Sequence, residues 1–342
     1  MGVDAVFNLI ALVYALLAIQ VVRRVRAAGT LLFDDEVTTA DRRLIFELAF
    51  FVLTPPAVAL HELGHAAATW LLGGHVEDFW FAFYWGSVLP ARIPLFSPGE
   101  YAFIAAAGPL VTVLIGAAAI AWAVLRPGRP ARNLLLLTFG QLQLIFGMVF
   151  YPLISLPTGF GDFHILRTDL NDAIPQAGNL VSAAFLLGAF LLMRYRSSAA
   201  WKRRLWRLTS SNYAELESAE RRLAENPADT QALKDAAYFH LSVDDAAGAI
   251  PLLARAVSLT PGDPVLLYNL AVAEANDERH RTDALAHARE AARIAAALPP
   301  SDVVAGFRAD VERLVTWLEA PDPERPWRRP SGTSQRGAGT RD

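Results

Sequence analysis

The sequence contains no cysteine. That excludes a disulfide scaffold, an iron–sulfur protein, a thiol enzyme and any thiolate zinc site. An excess of charge of either sign is also missing. The 31 Lys and Arg against 34 Asp and Glu leave −3 over 342 residues, which argues against a dedicated nucleic-acid binder. Lysine is nearly absent, with only Lys202 and Lys234; this bias says nothing of mechanism. Charge of any kind is scarce, at 19% of residues against 54% hydrophobic, and the mean hydropathy is +0.29. That balance points to membrane spans. The scarcity is uneven. The first 200 residues hold 12 basic and 13 acidic side chains, and the remaining 142 hold 19 and 21. The first part reads as membrane-embedded and the second as soluble.

The expected fold is mainly α: a polytopic helical membrane domain over 1–200 with a short membrane-associated β element, then a helical repeat domain over 201–319 and a disordered tail over 320–342. Five spans are expected, at 3–22, 44–72, 101–125, 133–156 and 180–193. Each is an apolar run bounded by turn or basic residues. The first lacks the basic start of a signal peptide and is followed by Arg23, Arg24 and Arg26, so it reads as a retained helix. Pro55–Pro56 break the second run and predict a kink or tilt. After Gly73–Gly74, residues 76–89 are rich in Phe, Trp and Tyr. Pro90, Pro94 and Pro98 then follow, a pattern of short strands or a loop rather than a helix.

From Asn212 onward the period is that of amphipathic helices. Pro227 and Pro261 stand 34 residues apart, the spacing of tetratricopeptide repeats. Small residues at Ala237, Ala249, Ala256, Ala271 and Ala284 fit that array. A short insertion near 276–282 interrupts the second repeat, and 302–318 reads as a capping helix.

The sharp chemical signal is His61-Glu62-Leu63-Gly64-His65. Histidines at i and i+4 share one helix face and can grip one zinc ion, with Glu62 beside them as general base. Chance produces that pattern in about one such chain in a hundred. Here it also lies inside an apolar run, where a glutamate needs a functional or structural reason. A third ligand is needed, and the membrane half offers His75, Glu77, Asp78, Glu100, Asp162 and His164. Asp162 is favoured, because Pro157, Gly159 and Gly161 break the fourth run just before it and let the backbone turn. His164 is the alternative.

These residues resemble the site-2 protease family of intramembrane zinc metalloproteases over about residues 44–170. The resemblance rests on His61 to His65 in a span, the Gly73–Gly74 turn before the aromatic stretch, Ala107-Gly108-Pro109 in the next core span and Pro157 through Asp162. It implies that His61, His65 and Asp162 bind Zn2+, that Glu62 activates water, and that Phe79–Leu89 is a membrane-entering β-structure presenting an extended substrate. The chain departs from the family pattern at Phe163, where the family has Gly. It departs again at Thr112 and at Ile154–Ser155, where the family often has Asn.

The function expected is hydrolysis of peptide bonds in a membrane-tethered protein, with repeats that recruit or gate through a protein or peptide partner. Besides the lipid bilayer, no nucleic-acid partner is expected. The rival reading is a membrane-anchored scaffold with a degenerate metal site. A metal transporter would want more ionisable residues along its spans. An integral protein of a bacterial cell membrane is expected. Basic clusters after spans one, three and five place the repeats on the cytoplasmic side and Asp162 toward the outside. The resemblance implies the reverse, a zinc site nearer the cytoplasmic face. A missed span, within 163–193 or from a split at Pro55–Pro56, would reconcile the two.

Overall fold

The computed structural model describes residues 3–33, 37–159, 161–243, 245–277 and 280–320. The tail expected beyond 320 lies outside them. The fold is mainly helical and divides into two compact units, Met1–Ser211 and Asn212–Asp342.

The first unit contains α1 (Val3–Ala28), α2 (Thr39–Leu48), α3 (Thr54–Leu71), β1 (His75–Ala82), β2 (Trp85–Ala91), α4 (Pro98–Leu125), α5 (Pro130–Ile145), α6 (Tyr151–Thr158), α7 (Asp162–Ala173), α8 (Ala177–Arg196) and α9 (Ala199–Thr209). Among the described residues, four helical segments are long and apolar enough to cross a membrane: Ala40–Leu71, Pro98–Leu125, Pro130–Ser155 and Ala177–Arg196. The first expected span falls in α1, whose side chains before residue 9 lie outside the described residues.

The proline pair leaves its segment continuous. A proline cannot donate to the carbonyl one turn back, so the ladder needs another pattern ahead of it. Residues Ala49–Leu53 widen into a π-helical turn, and α3 then starts with Pro55 and Pro56 in its first turn. The Thr54 hydroxyl donates to the Ala49 carbonyl at 3.1 Å. The same device recurs ahead of Pro152, where Phe146–Phe150 is π-helical and α6 follows. Neither place supplies the extra span that would reconcile charge with resemblance. The stretch after the fourth span holds only the 12-residue α7 before α8, too short to cross hydrocarbon.

The aromatic stretch is a two-stranded antiparallel hairpin, with Trp80 opposite Ser87 and a bulge between Val76 and Asp78. Trp80 and Trp85 meet edge to face at 4.9 Å. Gly73 ends α3 with φ +76, a left-handed turn that favours glycine. Past the hairpin, Arg92 donates to both carboxylate oxygens of Glu100 at 2.7 Å, while Glu100 also closes a capping box with Ser97 at the start of α4. That latch fixes the α4 N-terminus beside the hairpin.

The unit boundary falls at 211–212, eleven residues beyond the expected domain break at 200. The reason is α9. Its Trp201 and Leu208 pack with Ala123 of α4 and Leu137 of α5. The basic composition of 201–207 hides an apolar stripe that belongs to the first unit.

The second unit is an array of α10 (Tyr213–Glu225), α11 (Thr230–Ser242), α12 (Ala246–Leu259), α13 (Pro264–Ala275), α14 (Arg281–Ala296) and α15 (Asp302–Glu319). Each helix packs on the next in sequence. Asp229 and Asp263, 34 residues apart, both cap the following helix through their side chains. Ala237, Ala249, Ala256, Ala271 and Ala284 are fully buried, so helices approach closely where the sequence places small residues. Part of the expected insertion, residues 278 and 279, lies outside the described residues.

Glu274, 4% exposed, accepts from His287 Nδ1 at 2.7 Å and joins α13 to α14. That hydrogen bond holds the His287 imidazolium above its ordinary pKa. The stabilisation is present below the unfolded value of about 6.5 and is lost as pH rises through the raised folded value. We expect amide protection in α13 and α14, corrected for intrinsic exchange, to be higher at about pH 6 than at about pH 8. Glu274→Gln should flatten that difference.

Candidate metal centre

The centre is built on α3 and α4. His61 and His65 lie one helical turn apart, so both rings leave the same face. That face meets α4 closely enough that a Cβ on Gly64 would stand 2.9 Å from the Ala107 carbonyl oxygen. On α4 the gap is kept by Gly108. A Cβ there would stand 2.3 Å from His65 Nε2 and 2.6 Å from His61 Nε2. Only glycine lets the backbone pass beneath both rings.

The third group comes from the break after α6. Gly159 (φ +67) ends α6 and Gly161 (φ +86) precedes α7, and these two left-handed residues turn the chain so that Asp162 opens α7. The helix N-terminus also favours a carboxylate there. Asp162 Oδ2 lies 2.9 Å from His61 Nε2 and 3.1 Å from His65 Nε2, and the two Nε2 atoms are 3.2 Å apart. His61, His65 and Asp162 together form a group that can hold a metal ion.

The proton positions follow from the outer partners. His65 Nδ1 lies 2.7 Å from the Ile104 carbonyl oxygen, which can only accept, so Nδ1 carries the proton. The Thr112 hydroxyl donates to the Gly108 carbonyl at 3.3 Å and therefore accepts from His61 Nδ1 at 2.8 Å. Each neutral ring thus turns the lone pair of Nε2 inward. Two imidazole lone pairs and a carboxylate oxygen converge with no donor among them, an arrangement that a cation stabilises. Bonds of 2.0–2.2 Å at the tetrahedral angle would space neighbouring ligand atoms about 3.3–3.6 Å apart. The observed 2.9–3.2 Å is somewhat shorter, so small side-chain shifts would open the group to that spacing.

Glu62 sits beside the group and is 5% exposed. The β2 strand lies against it: a Cβ on Gly86 would stand 2.5 Å from Glu62 Cγ and 2.9 Å from Oε1. The hairpin therefore borders the centre, and its glycine admits the carboxylate.

No family model, no curated protein and no solved structure matches the chain. The functional reading therefore rests on these residues and their geometry.

Of the candidate third ligands, Asp162 is the one in the group. His164 is two residues along α7, about 200° around the helix axis, and points away. His75, Glu77 and Asp78 lie exposed on β1, and Glu100 is held by Arg92. Gln143 packs against α4 at Gly116, where α4 and α5 touch.

Three contributors were not legible in the sequence as parts of the centre. The Ile104 carbonyl has no side-chain signature. Thr112 is four residues after Gly108, on the same face of α4, and the sequence marks it only as a departure from the family pattern. Tyr151 follows the second π-turn, a local feature often found at functional sites. Its ring stands 5.8 Å from that of His61 and 5.9 Å from that of Phe163, and its hydroxyl accepts from the Asp162 amide at 3.5 Å. Partners that orient ligands typically change metal affinity 10- to 100-fold. Tyr151→Phe is expected to weaken metal binding by about ten-fold with helix content unchanged, as read by competition with a chromogenic chelator.

Proposed function

We propose that this chain is an intramembrane zinc metalloprotease of the site-2 protease type, acting on membrane-tethered proteins. The observation that carries the proposal is the convergence of His61 Nε2, His65 Nε2 and Asp162 Oδ2 within hydrogen-bonding distance of one another, beside a buried Glu62. Two imidazoles and a carboxylate are a zinc donor set that leaves a fourth position open, the pattern of hydrolytic rather than structural sites. A scaffold has no use for three convergent acceptors in an apolar bundle.

His61, His65 and Asp162 would hold the ion, with Ile104 and Thr112 keeping both imidazoles in the liganding tautomer. Bound zinc would acidify a water and polarise the scissile carbonyl. Glu62 accepts the proton of the attacking water and returns it to the leaving amine nitrogen. The apolar surroundings exclude bulk water and strengthen these charge interactions. A helical substrate hides its carbonyls and must unwind. The hairpin borders Glu62 through Gly86 and offers strand edges for pairing with an unwound segment. The helical array from Asn212 onward would recruit or gate through a protein or peptide partner, as tetratricopeptide-like grooves do.

The test is incubation of purified zinc-loaded protein with a panel of single-span proteins in detergent. New N-termini inside an apolar segment support the proposal. Intact substrates across the panel, with zinc bound, contradict it.

For orientation we follow the charge. The C-terminus of α1, the α4–α5 turn and the end of α8 carry the basic clusters at one end of the bundle, and that end is taken as cytoplasmic. The residues that touch the imidazoles, Ile104 to Thr112, centre on Gly108, nearer the start of α4 at Pro98 than its end at Leu125. In intact cells an impermeant thiol reagent is then expected to label Ser87→Cys on the hairpin and not Ser197→Cys.

A further inference from the structure

One end of the membrane unit carries a surface that the protease reading does not use. Helix α9 lies with Trp201, Leu205 and Leu208 against the C-terminal part of α4 and the N-terminal part of α5. One buried side chain locks it there. Asn133, 2% exposed, donates from Nδ2 to the carbonyls of Leu208 and Gly128, both at 2.9 Å, and accepts from the Gly128 amide at 2.9 Å. The end of α9 and the α4–α5 turn are thus one rigid piece. Tyr195 against Trp201, 5.6 Å between ring centroids, brings the end of α8 to the same place.

The outward side of this piece is basic. Lys202 and Arg204 of α9, Arg126, Arg129 and Arg132 around the turn, and Arg194 and Arg196 at the end of α8 are all exposed. No acid lies within the stretches of sequence that carry them. Residues 101–161 contain none, and neither do residues 194–211. Trp122, one turn before the α4 end, is 59% exposed, as expected of an interfacial anchor at headgroup level. The cations therefore stand where hydrocarbon gives way to headgroups, and an amphipathic basic helix at that depth attracts anionic lipid.

We propose that α9, the α4–α5 turn and the end of α8 form a seat for anionic diacyl phospholipid headgroups, with phosphatidylglycerol as the model ligand. The Asn133 lock holds the cations at a fixed height against the phosphate layer. The proposal is independent of the metal centre, which lies nearer the other end of α4.

The test is native mass spectrometry of the full chain released from micelles containing equal phosphatidylglycerol and phosphatidylcholine. Each cation near an anionic surface contributes about five-fold in partition. Wild type is expected to retain phosphatidylglycerol at least about 100-fold over phosphatidylcholine, and Lys202→Gln/Arg204→Gln to lower that ratio by about 25-fold. Arg92→Gln, beside the hairpin, should leave the ratio unchanged. Should the double variant fail to fold, Arg126→Gln/Arg196→Gln serves in its place, with helix content as the control. Equal retention of the two lipids by wild type, or an undiminished ratio in a folded double variant, overturns the proposal.

Discussion

Glu62→Gln is expected to lower cleavage by a factor of about 10²–10⁴, the range that a positioned general base contributes, while zinc stays bound. The amide keeps the size and shape of the carboxylate, so packing against Gly86 is preserved. It cannot take a proton from water, so the step that depends on Glu62 is lost. Metal content read by atomic emission and cleavage read on gels separate the two effects. Undiminished cleavage by this variant would remove Glu62 from the mechanism.

The second large effect is expected at Gly108. An added Cβ would stand 2.3 Å from His65 Nε2 and 2.6 Å from His61 Nε2, distances no real pair of atoms tolerates. Neither ring can swing aside cheaply, since Nδ1 of each is tied to α4 itself, through the Ile104 carbonyl and the Thr112 hydroxyl. The backbone cannot retreat cheaply either, because Gly64 of α3 rests on Ala107. Gly108→Ala is expected to weaken metal binding by at least about 100-fold and to abolish cleavage. Gly99→Ala, on the same helix, would meet only the Ala173 Cβ at 3.9 Å and should behave as wild type. Chelator competition on both variants checks the contrast.

How much of this was legible beforehand varies with the kind of signal. The histidine pair and Glu62 are readable because helix periodicity is local and the motif spans one turn. Asp162 was reachable because glycines with no side chain to bury punctuate an apolar run, and the structure uses Gly159 and Gly161 as left-handed turns there. The hairpin was signalled by aromatics between the Gly73–Gly74 pair and the prolines that follow. Its register and its contact with Glu62 were not, since both depend on how β2 docks on α3. The π-turns before Pro55 and Pro152 were not legible, because proline content marks where the ladder is interrupted and not how the turn ahead of it widens. The place of α9 was missed for a different reason. Charge dominated the composition of 201–207, whereas Trp201, Leu205 and Leu208 recur at helical spacing and carry the packing. The Ile104 carbonyl has no signature in any sequence, because every residue carries one.

The account stands on three ligand atoms from α3 and α7 holding one zinc ion, and metal stoichiometry of the purified full chain tests that directly. Wild type is expected to bind about one zinc per chain with catalytic-site affinity, and His65→Ala and Asp162→Ala each to lose it. A wild-type chain that binds no zinc, or an Asp162→Ala chain that keeps its zinc at full affinity, would contradict it.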